Sequence, residues 1–323
     1  MRLDVDFANW AFFPLYPLLA RVLKLSTGLR AFWAGTSVSV LCFISFTLLS
    51  LRYRAITRGS QARADDLTWI ILLIVYPFSF YFFVPYSESL YLLLTMLLLL
   101  AFRMCKPTYA GLATALLTAA RPTGVLAIPY LAAERLWHAR PAFRSELSPR
   151  GRLRVLADCM FPLSLAPLGI ALYMVYLYRL TGDALAFSHV QVAWGREFFN
   201  PLKTFYWALT KNDWSYLLTS PSSQSQSYAA SFVVVAGLAC LWLLWRGLFL
   251  ESWLLGATVL LALTTGVLSM PRFVTANPVF LLVAGDCADR IRSRIVRIAL
   301  ATAAVVLQAL LLRTWFSNST VLM

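Results

Sequence analysis

Three charged residues sit where the surrounding sequence makes charge expensive. Glu88 lies in YSESLY (residues 86–91), Arg121 in AARPTG (119–124) and Arg272 in MPRF (270–273), each beside a strongly apolar run. At membrane depth such groups cost several kcal/mol unless paired or hydrated, which makes them functional candidates. A guanidinium holds phosphate or carboxylate anions, and a carboxylate can take a proton from a hydroxyl. The stretch HVQVAWGR adds His189, Gln191, Trp194 and Arg196. Asp4 and Asp6 form a D-x-D pattern, a spacing that would suit a divalent cation. Structural alternatives stand beside each. Glu88 would serve equally as an acid at a helix N-terminus. Arg121 and Arg272 would serve as snorkelling interface residues, and His189 as an ordinary loop residue. Asp65 and Asp66 fall in a basic stretch and read as solvated.

The elements that must position these residues are apolar helices. A membrane-spanning helix needs about 20 mostly apolar residues. Runs of that character cover residues 31–51, 67–84, 89–103, 160–179, 229–248, 252–269, 274–285 and 295–312. Residues 109–133 are apolar but interrupted by Arg121–Pro122, and residues 12–22 by Pro14 and Pro17, so both read as broken or re-entrant segments. The expected fold class is therefore all-α: a polytopic transmembrane bundle of about eight to ten membrane segments, forming one membrane-embedded domain over 1–323.

Arginines cluster between the runs, in 52–66 and 134–158 and around Arg103, Arg246 and Arg290–Arg297. The positive-inside bias makes these the cytoplasmic side. That topology closes if 109–133 enters and returns as a hairpin bent at Arg121–Pro122. The long polar loop 180–228 then faces outward, as do Glu88, Arg121, His189 and Arg272.

Composition supports the membrane and excludes other classes. Of 323 residues 60% are hydrophobic and 13% charged, where a soluble domain is nearer half and a quarter. The net charge is +14, but the basic residues sit in short connections between apolar runs. They therefore point to membrane topology and not to nucleic acid. The five cysteines are scattered with no CxxC pair, which indicates neither a disulfide framework nor a zinc site. Residues 1–9 are mixed and acidic, unlike a cleavable signal peptide.

In order along the chain, FFPLYP (12–17), YPFSFYFFVPYSESLY (76–91), ARPTG (120–124), AFSHVQVAWGR (186–196) and MPRF resemble the successive motifs of the PIG-V mannosyltransferases, which are GT-C polytopic glycosyltransferases. Eukaryotic members add the second mannose in glycosylphosphatidylinositol (GPI) anchor assembly, in the endoplasmic reticulum. The resemblance implies transfer of mannose, or a related hexose, from a polyprenyl-phosphate donor to a glycolipid, glycan or protein acceptor outside the cytoplasm. It implies Glu88 or Asp6 as the catalytic carboxylate. Substrate contacts would come from Tyr16, Ser87, Arg121, His189, Gln191, Trp194, Arg196 and Arg272. A divalent cation is the one cofactor it would admit, and membrane lipids surround the chain.

Family members begin with a further transmembrane helix and an outer loop bearing a Trp-Asp motif, whose aspartate is the expected base. Here the sequence starts almost at FFPLYP, which leads to the expectation of a start codon lying further upstream. Arginine outnumbers lysine 24 to 4, in keeping with a GC-rich, bacterial genome and a plasma-membrane location. The endoplasmic reticulum is the alternative if the source is eukaryotic. The competing functional readings are a polytopic lipid or solute transporter or flippase, and a non-catalytic truncated homologue.

Overall fold

The computed structural model describes residues 9–58, 62–145, 148–194, 198–214 and 225–316. All regular structure among them is helical. In chain order the α-helices are α1 (Leu15–Thr27), α2 (Ala31–Arg58), α3 (Ala62–Val75), α4 (Glu88–Arg103), α5 (Pro107–Ala120), α6 (Ala127–Ser145), α7 (Pro149–Leu165) and α8 (Leu168–Thr181). They are followed by α9 (Ala186–His189), α10 (Pro201–Thr210), α11 (Gln226–Trp245), α12 (Phe249–Leu263), α13 (Met270–Thr275), α14 (Pro278–Asp289) and α15 (Arg294–Phe316). Short 3₁₀ turns at Asn9–Ala11, Ser79–Phe82, Pro122–Leu126 and Val190–Trp194 join them.

Three of these helices, α2, α11 and α15, are long and apolar enough to cross a membrane. Helices α7 and α8 pass the same test together as a pair bent by 47°. Along α15 only 6% of the apolar window is buried within the protein. A helix that apolar and that uncovered needs a surrounding other than water. Among the described residues the chain is helical, with three segments, or four if the bent pair counts as one span, long and apolar enough to cross a membrane.

Several boundaries differ from expectation, and prolines explain most of them. Residues 12–22 are not broken: Pro14 is the N-cap of α1 and Pro17 lies in its first turn, where no backbone donor is needed. The apolar run 67–84 is not one helix. α3 stops at Val75 ahead of Pro77, because the residue before a proline is pushed out of helical geometry. The run 160–179 is split at Ala166–Pro167. The run 274–285 is split too, with Asn277 capping α14 through its side-chain oxygen. The basic stretches 52–66 and 134–158 are mostly helical extensions. α2 continues to Arg58, and α6 continues to Ser145 through Pro141. The polar stretch 180–228 contains α9, the turn Val190–Trp194 and α10. The break at Arg121–Pro122 is present as expected, with Arg121 fully extended between α5 and a 3₁₀ turn.

The chain divides into two units, Met1–Ile56 with Leu90–Gly195, and Thr57–Ser89 with Arg196–Met323. In the first, α5 is the central helix and packs on α6, α7 and α8. Close approach is possible because the contacts are small. A Cβ on Gly111 would stand 2.5 Å from the Pro162 carbonyl oxygen, and one on Gly169 would overlap the Ala115 carbonyl. The Thr118 hydroxyl sits at the break between α7 and α8: it accepts from Ile170 N–H at 3.3 Å, and its one proton is shared between Ala115 O in its own helix at 2.8 Å and Ala166 O at 3.3 Å. Broken backbone at membrane depth persists only when such groups are satisfied. In the second unit, α11 and α12 form the main pair, and α13 packs on both.

Candidate functional site

The second unit builds its site from the segment between α3 and α4. Ser79 Oγ donates to Ile74 O at 3.0 Å, closing the frayed end of α3, and Gln308 Nε2 on α15 donates to Ser79 Oγ at 2.7 Å. Ser89 Oγ donates to Phe82 O at 2.8 Å, which fixes the 3₁₀ turn against the start of α4. The aromatic side chains of this turn pack inward: Phe80, Tyr81 and Phe82 are all buried, and Phe78 stacks with Tyr81. Glu88 is thereby held at the first position of α4, where the helix dipole favours an acid. It is also buried, at 2% exposure.

Its partner comes from α13. Arg272 Nε lies 3.3 Å from Glu88 Oε1. The Arg272 guanidinium also lies over two rings, at 5.6 Å from the Tyr86 centroid and 5.5 Å from that of Phe273. Pro271 lies in the first turn of α13, and a side-chain hydrogen bond between Tyr76 and Thr275 ties the helix's end to the segment after α3. Two motifs far apart in sequence, YSESLY and MPRF, meet as one carboxylate–guanidinium pair walled by aromatic rings. A guanidinium has five N–H donors in a planar fork. Nε pairs with Glu88 by charge and makes no hydrogen bond among the described residues, and a guanidinium so placed has the chemistry of an anion clamp. Ser87, half-buried, precedes Glu88 in the same turn.

Other candidates lie in the first unit, each with contacts of its own. Tyr16 OH donates to Gly35 O and accepts from Ser39 Oγ, each at 2.8 Å, so it tethers α1 to α2. Arg121 is 8% exposed and lies 5.4 Å from the Tyr91 ring centroid. Gln191 Nε2 donates to Phe187 O at 3.2 Å and to Ala11 O at 3.4 Å, pinning the turn Val190–Trp194 to the turn Asn9–Ala11. His189 is exposed and its Nδ1 sits 2.6 Å from Asp183 Oδ2. That hydrogen bond, and then the Leu185 backbone N–H, hold the Asp183 carboxyl below its ordinary range. The backbone of Trp194 closes the Val190–Trp194 turn; its side chain, like Asp6 and Arg196, lies outside the described residues.

Sequence reasoning missed four participants. Asp183 follows Gly182, a left-handed C-cap at φ 78°, and a Thr-Gly-Asp turn six residues before a histidine was a usable signal. Tyr86 and Phe273 carried none, since aromatic residues are everywhere in this chain. Asp213 is the fourth. It is buried and accepts from Ser225 Oγ, Gln226 N and Ser227 N, all at 2.9 Å, so it caps α11 from a distance in sequence. Burial works against its charge, but the donors from Ser227, Gln226 and Ser225 outweigh it and hold the carboxyl below its ordinary range.

No group of histidine, cysteine and acidic residues among the described residues has the makings of a metal site. Comparison with known protein families, with curated proteins and with solved structures finds no match.

Proposed function

We propose that this protein is a polytopic GT-C glycosyltransferase resembling the PIG-V mannosyltransferases. It would have about eight to ten membrane segments when broken and re-entrant pieces are counted. It moves mannose, or a related hexose, from a polyprenyl-phosphate donor to a glycolipid, glycan or protein acceptor on the non-cytoplasmic face. The observation that carries the reading is the Glu88–Arg272 pair. Two motifs that resemble family motifs supply one residue each to a partly buried, aromatic-walled cation whose natural ligand is an anion.

In this reading Arg272 meets the donor phosphate. As the bond from the anomeric carbon to the phosphate oxygen breaks, charge gathers on that phosphate, and a fixed guanidinium stabilises it. Glu88 holds the guanidinium in place as its counter-ion. The Tyr86 and Phe273 rings keep water away and strengthen the interaction. The acceptor hydroxyl attacks the anomeric carbon and loses its proton to a base.

The test is transfer from a polyprenyl-phosphate hexose by the detergent-purified chain. Glu88→Gln and Arg272→Gln should each lower the rate by two orders of magnitude or more, about 2.7 kcal/mol, with helicity retained. Wild-type turnover in either variant sinks the assignment. The broken pairs α5–α6 and α7–α8 favour a second reading, a transporter or flippase. Movement of a fluorescent lipid across vesicles holding the protein, without any transfer, would decide for it.

A further inference from the structure

The second unit carries another arrangement, which the proposed reaction does not use. Arg246 is the C-cap of α11 and Arg290 the C-cap of α14. Both guanidiniums come down on one indole, 5.1 Å and 5.6 Å from the Trp242 ring centroid. A helix C-terminus favours a cation, and an indole face attracts a guanidinium, so either arginine alone is explained by its own helix. Two like charges on one ring repel each other, and an anion between them would relieve that repulsion. Along the chain around these two helix ends basic residues are in excess: Arg246, Arg290, Arg292, Arg294 and Arg297 against Glu251, Asp286 and Asp289, five charges against three.

Position says what kind of anion. Trp242 lies one turn before the end of the apolar span Gln226–Trp245, and Arg294 begins the largely uncovered α15. Leu241 and Trp245, on either side, are 63% and 76% exposed. An exposed cationic patch bordered by bare apolar surface matches a headgroup with acyl chains, which a free phosphate lacks. We propose that Trp242, Arg246 and Arg290 form a headgroup site for an anionic phospholipid.

Native mass spectrometry of the detergent-solubilised chain tests this with phosphatidylglycerol and phosphatidylcholine as probes. The wild type should retain phosphatidylglycerol in preference. Each interfacial arginine is worth roughly fivefold, so Arg246→Gln/Arg290→Gln should weaken retention roughly thirtyfold and each single variant roughly fivefold. Arg140→Gln/Arg144→Gln, at the end of α6, should leave it unchanged. Equal retention of the two lipids by the wild type overturns the proposal. So does undiminished phosphatidylglycerol binding in the single variants, which remove only one exposed side chain each. Displacement of the lipid by excess inorganic phosphate overturns the lipid in favour of a free anion.

Discussion

Glu88 and Arg272 illustrate why a buried ion pair invites a functional explanation. Desolvating both charges offsets most of their attraction, so the pair adds little to stability over an apolar replacement, whereas breaking it is costly. Glu88→Ala should destabilise the protein by about 3 kcal/mol, at the low end of the range because Arg272 is partly exposed. Glu88→Gln/Arg272→Met should cost less than the sum of the single changes, and thermal unfolding in detergent reads the difference. Asp213 supports a second prediction. Asp213→Ala strands the Ser225 hydroxyl and two backbone N–H groups, at a cost of about 1–3 kcal/mol. Its carboxyl is depressed in the folded state, so its stabilisation is complete above the ordinary value of 3.8 and fades as pH falls through the lower folded value. Amide exchange at the start of α11 should accelerate below about pH 4 in the wild type. In Asp213→Asn it should already be fast at neutral pH.

At the scale of elements, α5 shows how small residues substitute for the hydrophobic effect. Helices in lipid gain little from burying apolar surface against each other, so packing depends on close backbone approach. Gly111 and Gly169 provide it toward α7 and α8. Gly169→Leu should force α8 off α5 and lower the unfolding temperature in detergent, while Gly237→Leu on α11, with open space around it, should not. Thr118→Val tests the α7–α8 break separately. It removes the hydroxyl bonded to Ala166 O and Ile170 N–H and should cost about 0.6–1.7 kcal/mol.

Over the whole molecule, the decisive feature is apolar surface with nothing of the protein covering it. α15 and the uncovered faces of α2 and α11 have the length and apolar character of surfaces that face lipid. The protein should resist alkaline extraction and leave membranes only with detergent. Val305→Arg, at an exposed position midway along α15, should reduce insertion of that segment by about 2.5–3.5 kcal/mol in a translocation assay.

The sequence by itself determined the solvent. Residues 31–51, 229–248 and 295–312 are too apolar for water, and the long helices stand there because hydropathy is a local, additive property. It also determined the Arg121–Pro122 break, since proline acts on its own backbone and its neighbour's. Other breaks needed the folded chain. Pro17 and Pro141 sit inside helices while Pro77 and Pro167 end them, and the difference lies in where each falls relative to a helix start and in what its neighbours can satisfy. Glu88 and Arg272 stood out singly as expensive charges. That they are partners, that Asp183 faces His189, and that Tyr16 is occupied with α2 were decided by tertiary structure alone. Such pairings depend on which helices pack together, and no pattern along the chain encodes that.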